Sequence, residues 1–98
     1  MITDHPARQW AAAYATEYSD EALFADGFDD AIIGMAERCS CPVLVVYDAE
    51  RCIQLLMERQ SLTYDDALEH FRYNTLGAAV GECAPLFLWR YDPDDEPS

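Results

Sequence analysis

The most apolar run in the chain, Val43-Leu44-Val45-Val46-Tyr47, is rich in β-branched residues, uninterrupted and too short for a helix. It predicts a strand covered on both faces. Asp48 ends the run and is placed to accept the free N–H groups of a following first turn, where Glu50 adds favourable charge. From there Ala49, Cys52, Ile53, Leu56 and Met57 recur at helical spacing, while Glu50, Arg51, Gln54 and Glu58 face outward. This strand-to-helix unit is the part around which the rest is expected to pack.

The same pattern predicts three further helices and a second strand, with clear punctuation. Asp4 to Tyr18 predicts a helix with Pro6 in its first turn and a stripe of Ala7, Trp10, Ala11, Tyr14 and Tyr18. Ser19 to Gly27 is a connection in which Ala22-Leu23-Phe24-Ala25 forms a short edge strand or an irregular turn. Phe28, Ala31, Ile32, Met35, Ala36 and Cys39 predict a second helix, with Asp26, Asp29 and Asp30 at its start and a break at Cys39-Ser40-Cys41-Pro42. After the central unit, Thr63 is the expected N-cap of a helix whose stripe is Tyr64, Ala67, Leu68, Phe71 and Thr75, with Gly77 as its stop. Ala78 to Ala84 predicts a loop, and Leu86 to Tyr91 a strand. Asp92 to Ser98 has no apolar residue and predicts a disordered acidic tail. The fold class is therefore α/β (α+β): one small domain over residues 1–91, with two or three short strands covered by three to four helices. The helical crossover permits a parallel pairing of the two strands, and an antiparallel one stays open.

Charge narrows the functional classes. Nineteen carboxylates against six cations, all arginine, give a net charge of −13 over 98 residues. A surface this negative repels nucleic acid and acidic membranes and attracts basic surfaces at low salt. No segment approaches the roughly 18 apolar residues of a membrane span, and no basic-then-apolar leader opens the chain, so a cytoplasmic location is expected. The acids fall in groups: Asp26, Asp29 and Asp30; Asp65, Asp66 and Glu69; and the tail. Capping explains part of the first two, and plain solubility would explain all of them. Spaced carboxylates on short helices can also imitate phosphates in a basic groove. Trp10, Tyr14 and Tyr64 are candidate contact anchors beside them, although the first reading of Trp10 and Tyr14 is as core residues covering one face of the sheet.

Candidate chemistry is thin. Cys39, Cys41, Cys52, Cys83 and His70 do not supply the two close ligand pairs of a structural zinc site, and buried thiols acting as small hydrophobes fit better. Asp66, His70 and Asn74 share a helix face, which would let a carboxylate orient an imidazole, but no nucleophile motif or glycine-rich phosphate loop accompanies them. No catalytic residue, metal or cofactor is expected.

About sixty residues, from Asp26 to Leu88, resemble a family of small acidic proteins commonly encoded by bacteriophages and prophages. The resemblance rests on DGFDDAIIGMAER, VYDAERCIQLLM, LTYDDALEHFRYNTLGAAVGE and the following APLF. It implies a phage origin and a compact α/β fold, and it carries no catalytic or ligand residue with it. Arg72 stands where the family pattern leads one to expect an acid, and the helix from Ala7 to Tyr18 and the tail look peculiar to this chain. Small acidic phage proteins are often inhibitors of host defence, anti-CRISPR proteins among them. By that association the expected partner is a host nucleic-acid-binding protein or CRISPR effector complex, bound without direct contact to nucleic acid or membrane. The alternatives are a self-associating structural or accessory protein, present as a homodimer, and a small enzyme using His70 or Cys83.

Overall fold

A computed structural model of the chain describes residues 5–18, 22–25, 27–37, 42–78, 81 and 84–91. Helix α1 (Pro6–Tyr18) is followed by a 3₁₀ turn (Asp29–Ala31), strands β1 (Ile32–Ala36) and β2 (Leu44–Asp48), helices α2 (Ala49–Gln60) and α3 (Tyr64–His70), a π-helical continuation of α3 (Phe71–Leu76), and strand β3 (Leu86–Leu88). The sheet order is β1-β2-β3. β1 runs antiparallel to β2, and β3 runs parallel to it. The described residues form a single small α+β unit of three α-helices and a mixed three-stranded sheet.

The central unit forms as its pattern predicts. The Asp48 carboxylate accepts hydrogen bonds from the N–H groups of Glu50 (3.1 Å) and Arg51 (3.4 Å) at the start of α2, and its other oxygen meets Arg90 Nε at 3.2 Å. Asp48→Ala should therefore cost about 1 kcal/mol, the usual worth of an N-cap, read as a lowered thermal midpoint. Thr63 caps α3 by accepting from Asp66 N–H at 3.2 Å. Gly77 stops the π-helical segment: its N–H donates to the Arg72 carbonyl, and a Cβ there would lie 2.9 Å from the Tyr73 carbonyl oxygen and 3.0 Å from that of Arg72.

Five expectations are corrected. The α-helix expected from Phe28 does not form over the described residues 28–37. Ile32 and Ile33 are β-branched and Gly34 has poor helix propensity. The segment instead pairs with β2, Ile32 opposite Tyr47 and Ala36 opposite Leu44, with a bulge at Ile33. The apolar run of β2 is covered on one face only. Val45 and Tyr47 are fully buried, whereas Leu44 and Val46 stay partly open on the other side. The last strand ends at Leu88 rather than Tyr91. Of the two alternatives for Ala22 to Ala25, the irregular one is found. Tyr64 sits outside the α3 stripe and is exposed, and Trp10 is 50 % exposed while Ala11 and Ala15 carry the buried side of α1. The expected break at Cys39–Cys41 and the tail 92–98 lie outside the described residues.

The core gathers on the inward face of the sheet. Val45, Tyr47 and Ile32 meet Cys52, Ile53, Leu55 and Leu56 of α2, Ala67 of α3, Phe71, and Ala11 of α1. Phe71 packs edge-on against Phe87 (5.2 Å between ring centroids) and Trp89 (6.3 Å), and Phe87 stacks on Tyr47 (5.5 Å). β3 is thus fastened to the π-helical segment by aromatic rings as well as to β2 by its ladder.

Candidate protein-binding surface

Helix α3 presents the clearest polar feature. Asp65, Asp66 and Glu69 are all exposed on its seven residues. Thr63 fixes the start of the helix and the buried Ala67 turns the opposite side to the core, so the carboxylates project to solvent. None of the three is in an ion pair among the described residues. The Tyr64 hydroxyl extends the patch by donating to Glu50 Oε1 at 2.9 Å, which joins the first turn of α2 to the first turn of α3. Desolvation, then the hydrogen bond to Glu50, raises the Tyr64 phenol above its ordinary pKa. The result is an acidic strip of Glu50, Asp65, Asp66 and Glu69 with one aromatic ring within it.

The other predicted residues divide differently. Asp29 is engaged by Arg8 (3.2 Å) and Asp30 by His5 (2.6 Å), so both acids tie α1 to the 3₁₀ turn. Arg8 also lies over the Phe24 ring at 4.5 Å. Trp10 and Tyr14 pair with each other on α1, ring centroids 5.8 Å apart. Asp26 lies outside the described residues. The structure thus brings Tyr64 together with the α3 trio, and turns Asp29 and Asp30 to internal use.

The imagined Asp66–His70–Asn74 relay does not assemble. Asn74 Nδ2 donates to the backbone carbonyl of His70 at 3.2 Å, and the buried Nδ1 of His70 has no hydrogen-bond partner among the described residues, so none of their carboxylates orients the ring through that nitrogen. Cys52 is a free thiol buried on the apolar side of α2, and burial pushes it up to about 12. Cys39, Cys41 and Cys83 lie outside the described residues. Among the described residues no group of three His, Cys, Asp or Glu side chains is arranged to hold a metal ion, and no helix is long and apolar enough to cross a membrane.

A second surface was missed by sequence reasoning. On the side of the sheet away from the helices, Ile33, Gly34, Val46, Leu86 and Leu88 line an open trough of about 500 Å³. These residues come from three separate segments, each of which resembles core when taken alone. Only the alternation of β2 against its neighbours, known once the register is known, separates them from the buried set. Compared with protein-family models, with curated proteins and with solved structures, the chain matches none.

Proposed function

We propose that this chain is a non-enzymatic inhibitor of phage origin, anti-CRISPR-like, that binds a basic nucleic-acid-binding surface of a host defence complex in a one-to-one ratio. The α3 carboxylates stand in for backbone phosphates, and occupation of the groove denies it to DNA. The observation that supports this reading is the unpaired, outward-facing trio Asp65, Asp66 and Glu69, continued by Glu50 through Tyr64. Asp29 and Asp30 are engaged by Arg8 and His5, whereas the α3 trio has no ion-pair partner among the described residues and remains available to a cationic partner. A net charge of −13 supplies long-range attraction, which accelerates encounter and weakens as salt rises.

The test is a pull-down from host lysate with the captured protein identified by mass spectrometry, followed by binding measurements with the purified partner. The variant D65N/D66N/E69Q should bind at least about tenfold more weakly, with a shallower dependence on salt. Its thermal midpoint should fall by only a few degrees, because Asp65 and Asp66 in the first turn contribute about 0.3–1 kcal/mol each through the helix dipole. A DNA duplex should compete with the wild-type chain for the same partner. Equal affinity of variant and wild type would remove α3 from the binding surface.

A further inference from the structure

A pocket of about 340 Å³ opens between the segment before the 3₁₀ turn, the π-helical segment and the residues leading into β3. Phe24, Phe28 and Phe87 give it three aromatic rings, and the rest of the described lining is aliphatic apart from Asn74 and Thr75. Those two polar side chains belong to the π-helical segment Phe71–Leu76, a backbone form that recurs at functional sites. No ionisable side chain is among the described lining residues. An apolar hollow with a few placed polar groups is the usual make-up of a small-molecule site. This one shares no residue with the acidic strip of α2 and α3.

The walls are fixed by contacts of the chain itself. The Tyr47 hydroxyl accepts from the Ala25 N–H at 2.8 Å, and the Ala25 carbonyl accepts from the Phe28 N–H at 3.3 Å, so this wall is tied to β2. Arg8 lies over the Phe24 ring, and Phe87 is held by stacking on Tyr47 and by the edge-on contact with Phe71. In the π-helical wall, Asn74 Nδ2 donates to the His70 carbonyl at 3.2 Å. That bond sets the plane of the amide and leaves Oδ1 as the acceptor for a guest. Walls held in this way reduce the ordering cost of binding.

We propose that this pocket binds a neutral bicyclic aromatic molecule carrying one hydrogen-bond donor, of the indole class. Volume, charge and the acceptor each narrow the choice. An apolar cavity of ~150 Å³ holds a single benzene ring, so 340 Å³ has room for two fused rings with space toward the mouth. A charge of either sign would give up its hydration to a lining with no counter-charge among the described residues. Three rings favour an aromatic guest through offset and edge-on contacts. The Asn74 Oδ1 then calls for a donor on the guest, because an amide oxygen covered by a ligand and left unpaired loses its hydrogen bond to water. Ring burial with one hydrogen bond, over about ten heavy atoms, corresponds to a dissociation constant on the order of 0.1–1 mM.

Indole itself is the probe, added from about 0.05 to about 10 mM to the ¹⁵N-labelled full chain while amide shifts are followed. The expected result is saturable shifts gathered on residues 23–25, 74–78 and 84–87, with indole-3-carboxylate inactive over the same range. Ala78 lines the mouth and is exposed, so Ala78→Trp should weaken indole at least tenfold and leave the melt cooperative. Asn74→Ala tests the acceptor, and keeps the proposal testable should Ala78→Trp fail to fold. It should lower the preference for indole over benzofuran, an isostere without the N–H, by about three- to tenfold relative to wild type. D65N/D66N/E69Q should bind indole as wild type does, so failure of this site and failure of the α3 surface are distinguishable. No saturation by about 10 mM, shifts centred on other residues, full binding by folded Ala78→Trp, or an indole preference unchanged in Asn74→Ala would overturn the proposal.

Discussion

Phe71→Ala is expected to destabilise the chain by about 3–5 kcal/mol, the range for deleting a buried phenylalanine, and to lower the thermal midpoint by roughly 10 °C or more. Phe71 is fully buried where α3 passes into the π-helical segment. Its ring is the piece against which Phe87 and Trp89 stand edge-on, and Phe87 in turn stacks on Tyr47. Removing it leaves a cavity beside Phe87 and takes the aromatic support from β3, a strand of three residues that then rests on its ladder to β2. Against a total stability of about 5–15 kcal/mol for a domain of this kind, that loss is large. Tyr73→Ala, two residues on and 77 % exposed, should change stability by no more than about 0.5 kcal/mol. Urea denaturation of the two variants gives the comparison. A Phe71→Ala midpoint within about 1 kcal/mol of wild type would mean that β3 is held without the aromatic cluster.

The parts of the fold that were legible in the sequence are those whose cause is local. Asp48 and Thr63 cap helices because their side chains reach N–H groups two or three residues on, and that geometry needs no knowledge of the rest of the chain. The stripe of Ala49, Cys52, Ile53 and Leu56 is likewise buried as its spacing requires. Residues 28–37 went the other way because two signals conflicted there. Phe28, Ala31, Ile32, Met35 and Ala36 fit a helical stripe, yet Ile32-Ile33-Gly34 favours extended backbone, and pairing with β2 decided between them. The Ile-Ile-Gly triplet was the available clue.

Legibility of the surfaces follows the same division. The α3 trio could be found because three acids within five residues, just after a capping threonine, are a local fact. The engagement of Asp29 and Asp30 could not, since their partners Arg8 and His5 lie 21 and 25 residues earlier. Nor could the sheet face, because Val46 and Leu86 become neighbours only through the parallel pairing of strands forty residues apart. Apolar strands in an α/β pattern default to burial on both sides, and that default concealed a face with nothing described above it.

Stability should be full below about pH 9 and fall steeply between about pH 9 and 12, because two buried neutral acids sit on opposite sides of the sheet–helix boundary. Desolvation pushes the Tyr47 phenol from 10.0 up to about 12 and the Cys52 thiol from 9.0 up to about 12. In that window the unfolded chain has released protons that the folded chain still holds. Because stability declines with pH wherever the folded state binds more protons, the sign is a loss on the alkaline side. Each unit between folded and unfolded pKa corresponds to about 1.4 kcal/mol, so the fall consumes a large share of a small domain's stability. Tyr47→Phe separates the contributions. At pH 7 it should be less stable by about 1–3 kcal/mol, since the Ala25 N–H loses the phenolic oxygen to which it donates at 2.8 Å. Above pH 10 it should decline more gently, so that its stability curve approaches that of wild type and meets it near pH 12. Urea denaturation under reductant at intervals from pH 7 to the alkaline limit reads both curves. Parallel decline of the two above pH 10 would show that Tyr47 ionises in the folded state as readily as in the unfolded one, and would place the alkaline sensitivity on Cys52 alone.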